Sequence, residues 1–394
     1  MTAREYRGAA GLLWSIGLGL RLTILAVPPV ITLIQADLRL SGTEVGILSG
    51  LPPLLFALAA LPGSLLIAWF GPLATVVVGL LVAGMASGLR GAVLDVYALY
   101  AATIVMSAGV AIMQPALPPL ARAWLPRRVS FGTALYSNGL LVAETVPVML
   151  TIPIVLPLLD GSWRLSLAFW GAPLVVIAAL VAAFAPRSDP QAENAPAAGR
   201  SWWPDWSQPL IWQIGLLFGS VNSVYLSSNA FLPGHLAGAG RADLIGSALT
   251  ALNFGQLPAS FALIAVAGRL ERRAWPFVLC GALMLLCVIG IASTASSWTV
   301  LLAGCLGFLG AVVMTLGFGL PALLSVPAET ARLSAAMFTI SYGEALVVSV
   351  LSGAAWDLGG SPRFAFLPIA ASAVPLLLVP GAIGFDRGRH EAVR

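Results

Sequence analysis

GLLWSIGLGLRLTILAVPPVITLI, residues 11–34, decides the fold class. As an α-helix rising 1.5 Å per residue it is about 36 Å long, enough to cross a hydrocarbon core of about 30 Å. It holds one ionisable residue, Arg21, and an adjacent proline pair, Pro28-Pro29. Arg4 and Arg7 precede it, as basic residues precede a secretory signal, but the apolar run continues without a clear small-residue cleavage site. A retained first membrane helix is expected.

The pattern then repeats along the chain. With the first span taken as 9–35, apolar segments follow at 43–69, 73–91, 96–122, 130–158 and 163–185, and a second set at 209–236, 245–268, 274–294, 298–325, 332–357 and 363–385. Of the 394 residues, 59% are hydrophobic and only 9% charged, against about 25% charged in soluble domains, too few to cover a soluble surface. The expected fold is an all-α membrane protein with twelve transmembrane helices in two six-helix halves. PRSDPQAENAPAAGRSWWPDWSQ, residues 186–208, is the one long polar, Pro- and Ala-rich stretch. It divides the chain into a bundle at 1–186, a linker at 187–208 and a bundle at 209–394. Trp202, Trp203 and Trp206 have the placing of interfacial anchors.

All 20 basic residues are arginine and none forms a basic cluster interleaved with aromatics, so nucleic acid is not an expected partner. With both termini cytoplasmic, the inner segments carry Arg4, Arg7, Arg122, Arg127, Arg128, Arg187, Arg200, Arg269, Arg272, Arg273, Arg332, Arg387, Arg389 and Arg394. The outer ones carry Arg39, Arg90, Arg164, Arg241 and Arg363, an asymmetry that follows the positive-inside rule. Cys280, Cys287 and Cys305 lie in apolar runs and read as small core residues, without a disulfide framework or metal site. His235, placed in an outer loop, and His390, in the C-terminal tail, suggest neither a metal ligand nor a catalytic base. No nucleotide-binding loop, zinc spacing or nucleophile triad is recognisable, so no cofactor and no catalytic residue is expected.

A faint repeat relates the halves. Gln114-Pro115-Ala116-Leu117 is similar to Leu320-Pro321-Ala322-Leu323, and Thr133-Ala134-Leu135-Tyr136 to Ala335-Ala336-Met337-Phe338. Gly46 and Gly246 open the second and eighth spans. Paired halves around a central site are how many secondary transporters are built.

Three ionisable residues fall at depth: Arg21, Glu144 and Glu344. A charge at the bilayer centre costs about 2.5–3.5 kcal/mol on the insertion scale, so each needs a partner, a cavity or a proton. Arg21, a planar fork about twelve residues into its span, suits an anion, or it forms a structural ion pair with Glu144. Glu144 shares a helical face with Ser137 and is a candidate to carry a proton or to balance Arg21. Glu344 follows Ser341 by three residues and is a second proton or binding candidate, or sits on a wet seam between helices.

Uncharged polar residues form stripes as well. Asn222, Tyr225 and Asn229 share one face of the seventh span, Asn253 and Gln256 follow in the eighth, and Gln114 stands in the fourth. Each alone reads as an interhelical hydrogen bond, worth about 0.6 kcal/mol on average. Together they favour a polar centre, with Asn138, Ser341 and Tyr342 as secondary candidates.

Leu20-Arg21 followed by Pro28-Pro29, the stretch Ser107–Arg128, FGTALYS from Phe131, Arg90, Gly161-Ser162-Trp163-Arg164, SVNSVYLSSNAFLPGHL from Ser220 and SAAMFTISYG from Ser334 carry a family resemblance. The chain resembles the major facilitator superfamily and, within it, the cyanate and 2-nitroimidazole porter subfamily. The charged signature of that superfamily between the second and third spans is missing from Ala68-Trp69-Phe70-Gly71-Pro72-Leu73, whereas Gly268-Arg269-Leu270-Glu271-Arg272-Arg273 keeps charge.

The resemblance implies that spans one, four, seven and ten line a cavity, that the fifth faces the eighth and that the second faces the eleventh. It also implies a multi-pass protein of the bacterial inner membrane, expected to be a monomer in contact with lipid. The function expected is alternating-access transport of a small polar solute, anionic and cyanate-like, with protons as a candidate coupling ion. Arg21, Gln114, Asn222, Tyr225 and Asn229 would bind the solute, and Glu144 and Glu344 would couple or balance charge. The alternative is export of neutral or amphipathic compounds such as nitroimidazoles, and a non-transporting receptor is the reading from another class.

Overall fold

The computed structural model describes residues 3–58, 60–126, 128–186, 205–259, 262, 270, 273–325 and 330–383, which contain helices and no β-strand. Helices coincide with the expected spans. We label them α1 (Tyr6–Leu38), α2 (Gly42–Leu58), α3 (Trp69–Arg90), α4 (Val96–Trp124), α5 (Phe131–Leu158) and α6 (Trp163–Phe184). The rest are α7 (Pro209–Gly238), α8 (Ile245–Phe254), α9 (Trp275–Ser293), α10 (Ser297–Pro321), α11 (Leu333–Gly359) and α12 (Pro362–Gly381).

Ten of these are long and apolar enough to cross a membrane. α2 and α8 are described over 17 and 10 residues, and part of each corresponding expected span lies outside the described residues. So do most of the 187–208 linker with Trp202 and Trp203, most of the Gly268–Arg273 loop, Arg127 and the tail with His390.

Several interruptions fall at prolines, each of which removes a backbone donor and crowds the preceding turn. α1 is helical to Gly19, resumes over Leu22–Leu25, passes through a 3₁₀ turn at Pro28–Val30 and continues as Ile31–Leu38. α4 carries a 3₁₀ turn at Gln114–Ala116, and α5 widens to a π-turn over Thr151–Val155. α7 runs unbroken through Pro233. At the start of α3, Gly71 adopts φ 79°, a left-handed conformation costly for any residue with a Cβ, and Pro72 follows it.

The described residues cluster into two compact units, 1–38 with 58–200, and 39–57 with 201–394. In the first, α1 packs on α5, α3 on α4 and α6, and α1 on α6. In the second, α7 packs on α11, α9 on α10 and α12, and α7 on α12. The same pairing recurs six helices later, so the faint sequence repeat is a structural one. Of the ten long apolar spans, α1 and α7 are the most enclosed and α6 and α12 the least.

α2 belongs to the second unit because it packs antiparallel on α11, the pairing the resemblance implies for spans two and eleven. Gly42 lies against Gly353, Gly46 against Ser349, and Phe56 against Tyr342 with ring centroids 5.2 Å apart. Small residues let helix backbones approach closely in a membrane, where dispersion and hydrogen bonds replace the hydrophobic effect as the glue.

Candidate functional site

In the first unit the site begins with a glycine pair. A Cβ on Gly17 of α1 would collide with the Tyr136 carbonyl of α5, and one on Gly139 of α5 with the Trp14 carbonyl of α1. The backbones are therefore nearly in contact. Trp14 Nε1 donates to Asn138 Oδ1 at 2.9 Å across the same seam.

One turn beyond Gly17, Arg21 occupies the interruption of α1 as the N-cap of Leu22–Leu25, and its carbonyl accepts from both Ile24 N and Leu25 N. From there Arg21 Nε donates to Glu144 Oε1 at 3.1 Å, with side-chain exposures of 13% and 9%. The ion pair offered as one reading of Arg21 is thus formed. An arginine fork holding a largely enclosed carboxylate is a group that another small anion can engage in the carboxylate's place. Gln114 sits at the interruption of α4, half-buried in the same unit.

In the second unit the polar stripe of α7 is spent largely on neighbouring helices. Tyr225 Oη donates to Asn253 Oδ1 at 2.5 Å and accepts from Gln256 Nε2 at 3.1 Å. Asn253 Nδ2 donates to Asn229 Oδ1 and to its own helix at Leu249 O, both at 2.8 Å. Asn229 Nδ2 returns to the Tyr225 carbonyl at 3.0 Å, and Asn222 Nδ2 donates to Ser341 Oγ at 2.7 Å. Tyr225, Asn229, Asn253 and Gln256 therefore form one buried network across α7 and the eighth span, and Asn222 separately ties α7 to Ser341 of α11.

Glu344 of α11 lies against Gly219 of α7, where a side chain would displace its carboxylate. Its Oε2 is buried with no hydrogen-bond partner among the described residues. Tyr342 stacks on Phe338 at 17° with centroids 6.1 Å apart.

Three placements differ from expectation: Cys305, read with Cys280 and Cys287 as a small core residue, is exposed while the other two are buried, and Arg90 and His235 also differ. Arg90, counted among the outer-segment arginines, is fully buried, with Nη2 donating to Thr23 O at 2.8 Å and Ser87 Oγ at 2.9 Å. His235 lies in the last turn of α7 rather than in a loop, 3.2 Å from Thr294 O and edge-on to Phe366. Asp357 carried no sequence signal beyond an acid near a span end. It caps the start of α2, accepting from Gly42 N at 2.6 Å, Thr43 N at 2.8 Å and Thr43 Oγ1 at 2.5 Å.

The comparisons with known proteins agree on the class. The family model "Major Facilitator Superfamily" matches residues 12–342. An uncharacterized transporter YycB of Bacillus subtilis (strain 168) is 24% identical, covering 96% of this chain and 92% of that one. From Escherichia coli (strain K12), the cyanate transport protein CynX is 25% identical over 66% of each chain, and the 2-nitroimidazole transporter is 24% identical over 98% and 96%. The crystal structure of the nucleoside transporter NupG superposes with a TM-score of 0.74 at 11% identity, covering 96% of this chain and 98% of that one, a likeness of fold. Matched over most of its length and built from repeated apolar helices, this chain belongs to the major facilitator superfamily and is a multi-pass membrane transporter of small solutes, not an enzyme.

Proposed function

We propose that the chain is a secondary transporter of a small polar anion, cyanate-like in size, which Arg21 binds in place of Glu144. The observation that carries this reading is the 3.1 Å Arg21–Glu144 pair at the interruption of α1. A broken membrane helix is where transporters of several folds hold solute, because its turns offer polar groups that a continuous helix hides. An arriving anion would compete with the carboxylate, and a Glu144 released from Arg21 would take a proton, giving electroneutral co-transport. Within the second unit, the Tyr225, Asn229, Asn253 and Gln256 network and the separate Asn222–Ser341 pair would offer polar contacts along the solute path. Gln114 would add a donor, and Glu344, whose Oε2 has no hydrogen-bond partner among the described residues, would be a second proton carrier. We keep the six-helix halves 1–186 and 209–394, joined by a cytoplasmic linker, as the proposed moving bodies.

Purified protein in liposomes, supplied with radiolabelled cyanate across an imposed pH gradient, tests this directly. Uptake should depend on the gradient, fall at least tenfold in R21A and lose its gradient dependence in E144Q. Full uptake by both variants would remove the mechanism. The second reading, export of neutral nitroimidazole-like compounds, is favoured by the pair being already closed and by the likeness to a 2-nitroimidazole transporter. Movement of 2-nitroimidazole that survives R21A would select it.

A further inference from the structure

Arg90 is a large charged side chain with no exposed surface, and no carboxylate pairs with it among the described residues. Its Nε and Nη1 have no hydrogen-bond partner among the described residues, so both of its bonds leave from Nη2. Burying a guanidinium on such terms is costly, and a residue that merely filled space would not carry that cost. What Nη2 reaches explains the expense.

The target is a carbonyl that the sequence itself orphans. In a continuous helix Ile24 O would accept from residue 28, but Pro28 has no N–H. Val27 N turns to Ile24 O instead, at 3.3 Å, and leaves Thr23 O without its donor. Arg90 Nη2 supplies the missing bond at 2.8 Å. Neighbouring contacts fix the same turn from other sides. Thr23 Oγ1 points at Met106 Sδ of α4 at 3.1 Å, and Ser87, which receives the second Arg90 bond, donates its hydroxyl to Leu167 O of α6 at 2.9 Å. Arg21, which caps the short helix containing Thr23, sits two residues from the clamped carbonyl.

We infer that Arg90 is a positioning residue for transport: it clamps the interrupted turn of α1 at Thr23 O and so holds the Arg21 guanidinium where the solute is taken. The inference rests on the proposed role of Arg21 in binding, while the clamp itself can be read without any solute.

The test pairs two measurements on the full chain in nanodiscs and liposomes. Hydrogen–deuterium exchange should rise about tenfold across residues 20–27 in R90A and stay unchanged in α7. For radiolabelled cyanate, KM should rise about tenfold with Vmax within twofold of wild type. Adding P28A should return both readouts toward wild type, because an amide at position 28 serves Ile24 O and gives Val27 N back to Thr23 O. R90K, which keeps one donor, should fall between wild type and R90A, and it substitutes where R90A does not fold. Unchanged exchange at 20–27, a loss confined to Vmax, or failure of P28A to rescue would overturn the inference. If wild type does not move cyanate, the transport reading fails while the exchange data still decide the clamp.

Discussion

Glu144 Oε1 accepts a hydrogen bond from Arg21 Nε at 3.1 Å, and both side chains are largely enclosed between α1 and α5. Enclosure makes the two charges interdependent. Removing one partner of a buried pair strands the other and costs about 3–5 kcal/mol, whereas removing both avoids the stranded charge. Thermal unfolding in detergent should therefore rank wild type above the R21A/E144A double variant, and the double variant above either single one. Strictly additive losses would show that the pair is not coupled.

That pairing depends on how near the two helices come. Gly17 and Gly139 leave no room for a side chain between α1 and α5. Overpacking a tight interface typically costs about 1–3 kcal/mol, and here it would also lever Arg21 away from Glu144. G17L and G139L should each lower the melting temperature and reduce uptake more than G8L, a glycine with open space around it. Equal effects at all three positions would argue against a specific close approach.

How much of this was legible beforehand follows from what each residue's environment depends on. Membrane helices announce themselves because bilayer thickness sets their length, and Arg21 and Glu144 stood out because charge is expensive at depth. The pairing of α2 with α11 came from resemblance, since one helix's glycine stripe does not name its partner. Arg90 was assigned to the outer segments because it ends an apolar run, and only the fold reveals the orphaned Thr23 carbonyl beside it. The stripes of α7 and α8 were read correctly as polar faces. Their closing on each other through the Tyr225 hydroxyl is tertiary information that helical periodicity does not contain.

The Tyr225 hydroxyl is therefore the next point to probe, since it both donates to Asn253 and accepts from Gln256. Y225F keeps the ring and its packing but takes away a donor and an acceptor inside a buried network. Leaving such groups unsatisfied costs about 1–3 kcal/mol. We expect Y225F to destabilise by an amount in that range, and N253A added to it to cost less than it does alone, as members of one network are not additive. Additivity within experimental error would separate the two residues energetically.

The last prediction concerns the start of α2, whose first amides have no intrahelical acceptor. Asp357 of α11 fills that role for Gly42 and Thr43, and its negative charge also lies at the positive end of the α2 dipole. Losing a capping side chain costs about 0.5–2 kcal/mol, and losing only its charge costs part of that. D357A should therefore destabilise more than D357N, and amide exchange should rise first at residues 42–46. Because α2 holds to α11 through Gly42, Gly46 and this cap, D357A should also raise amide exchange across the facing turns of α11, residues 349–357. If exchange at 349–357 is the same with and without the carboxylate, the cap fixes the helix end alone and the glycine contacts hold the two helices together unaided.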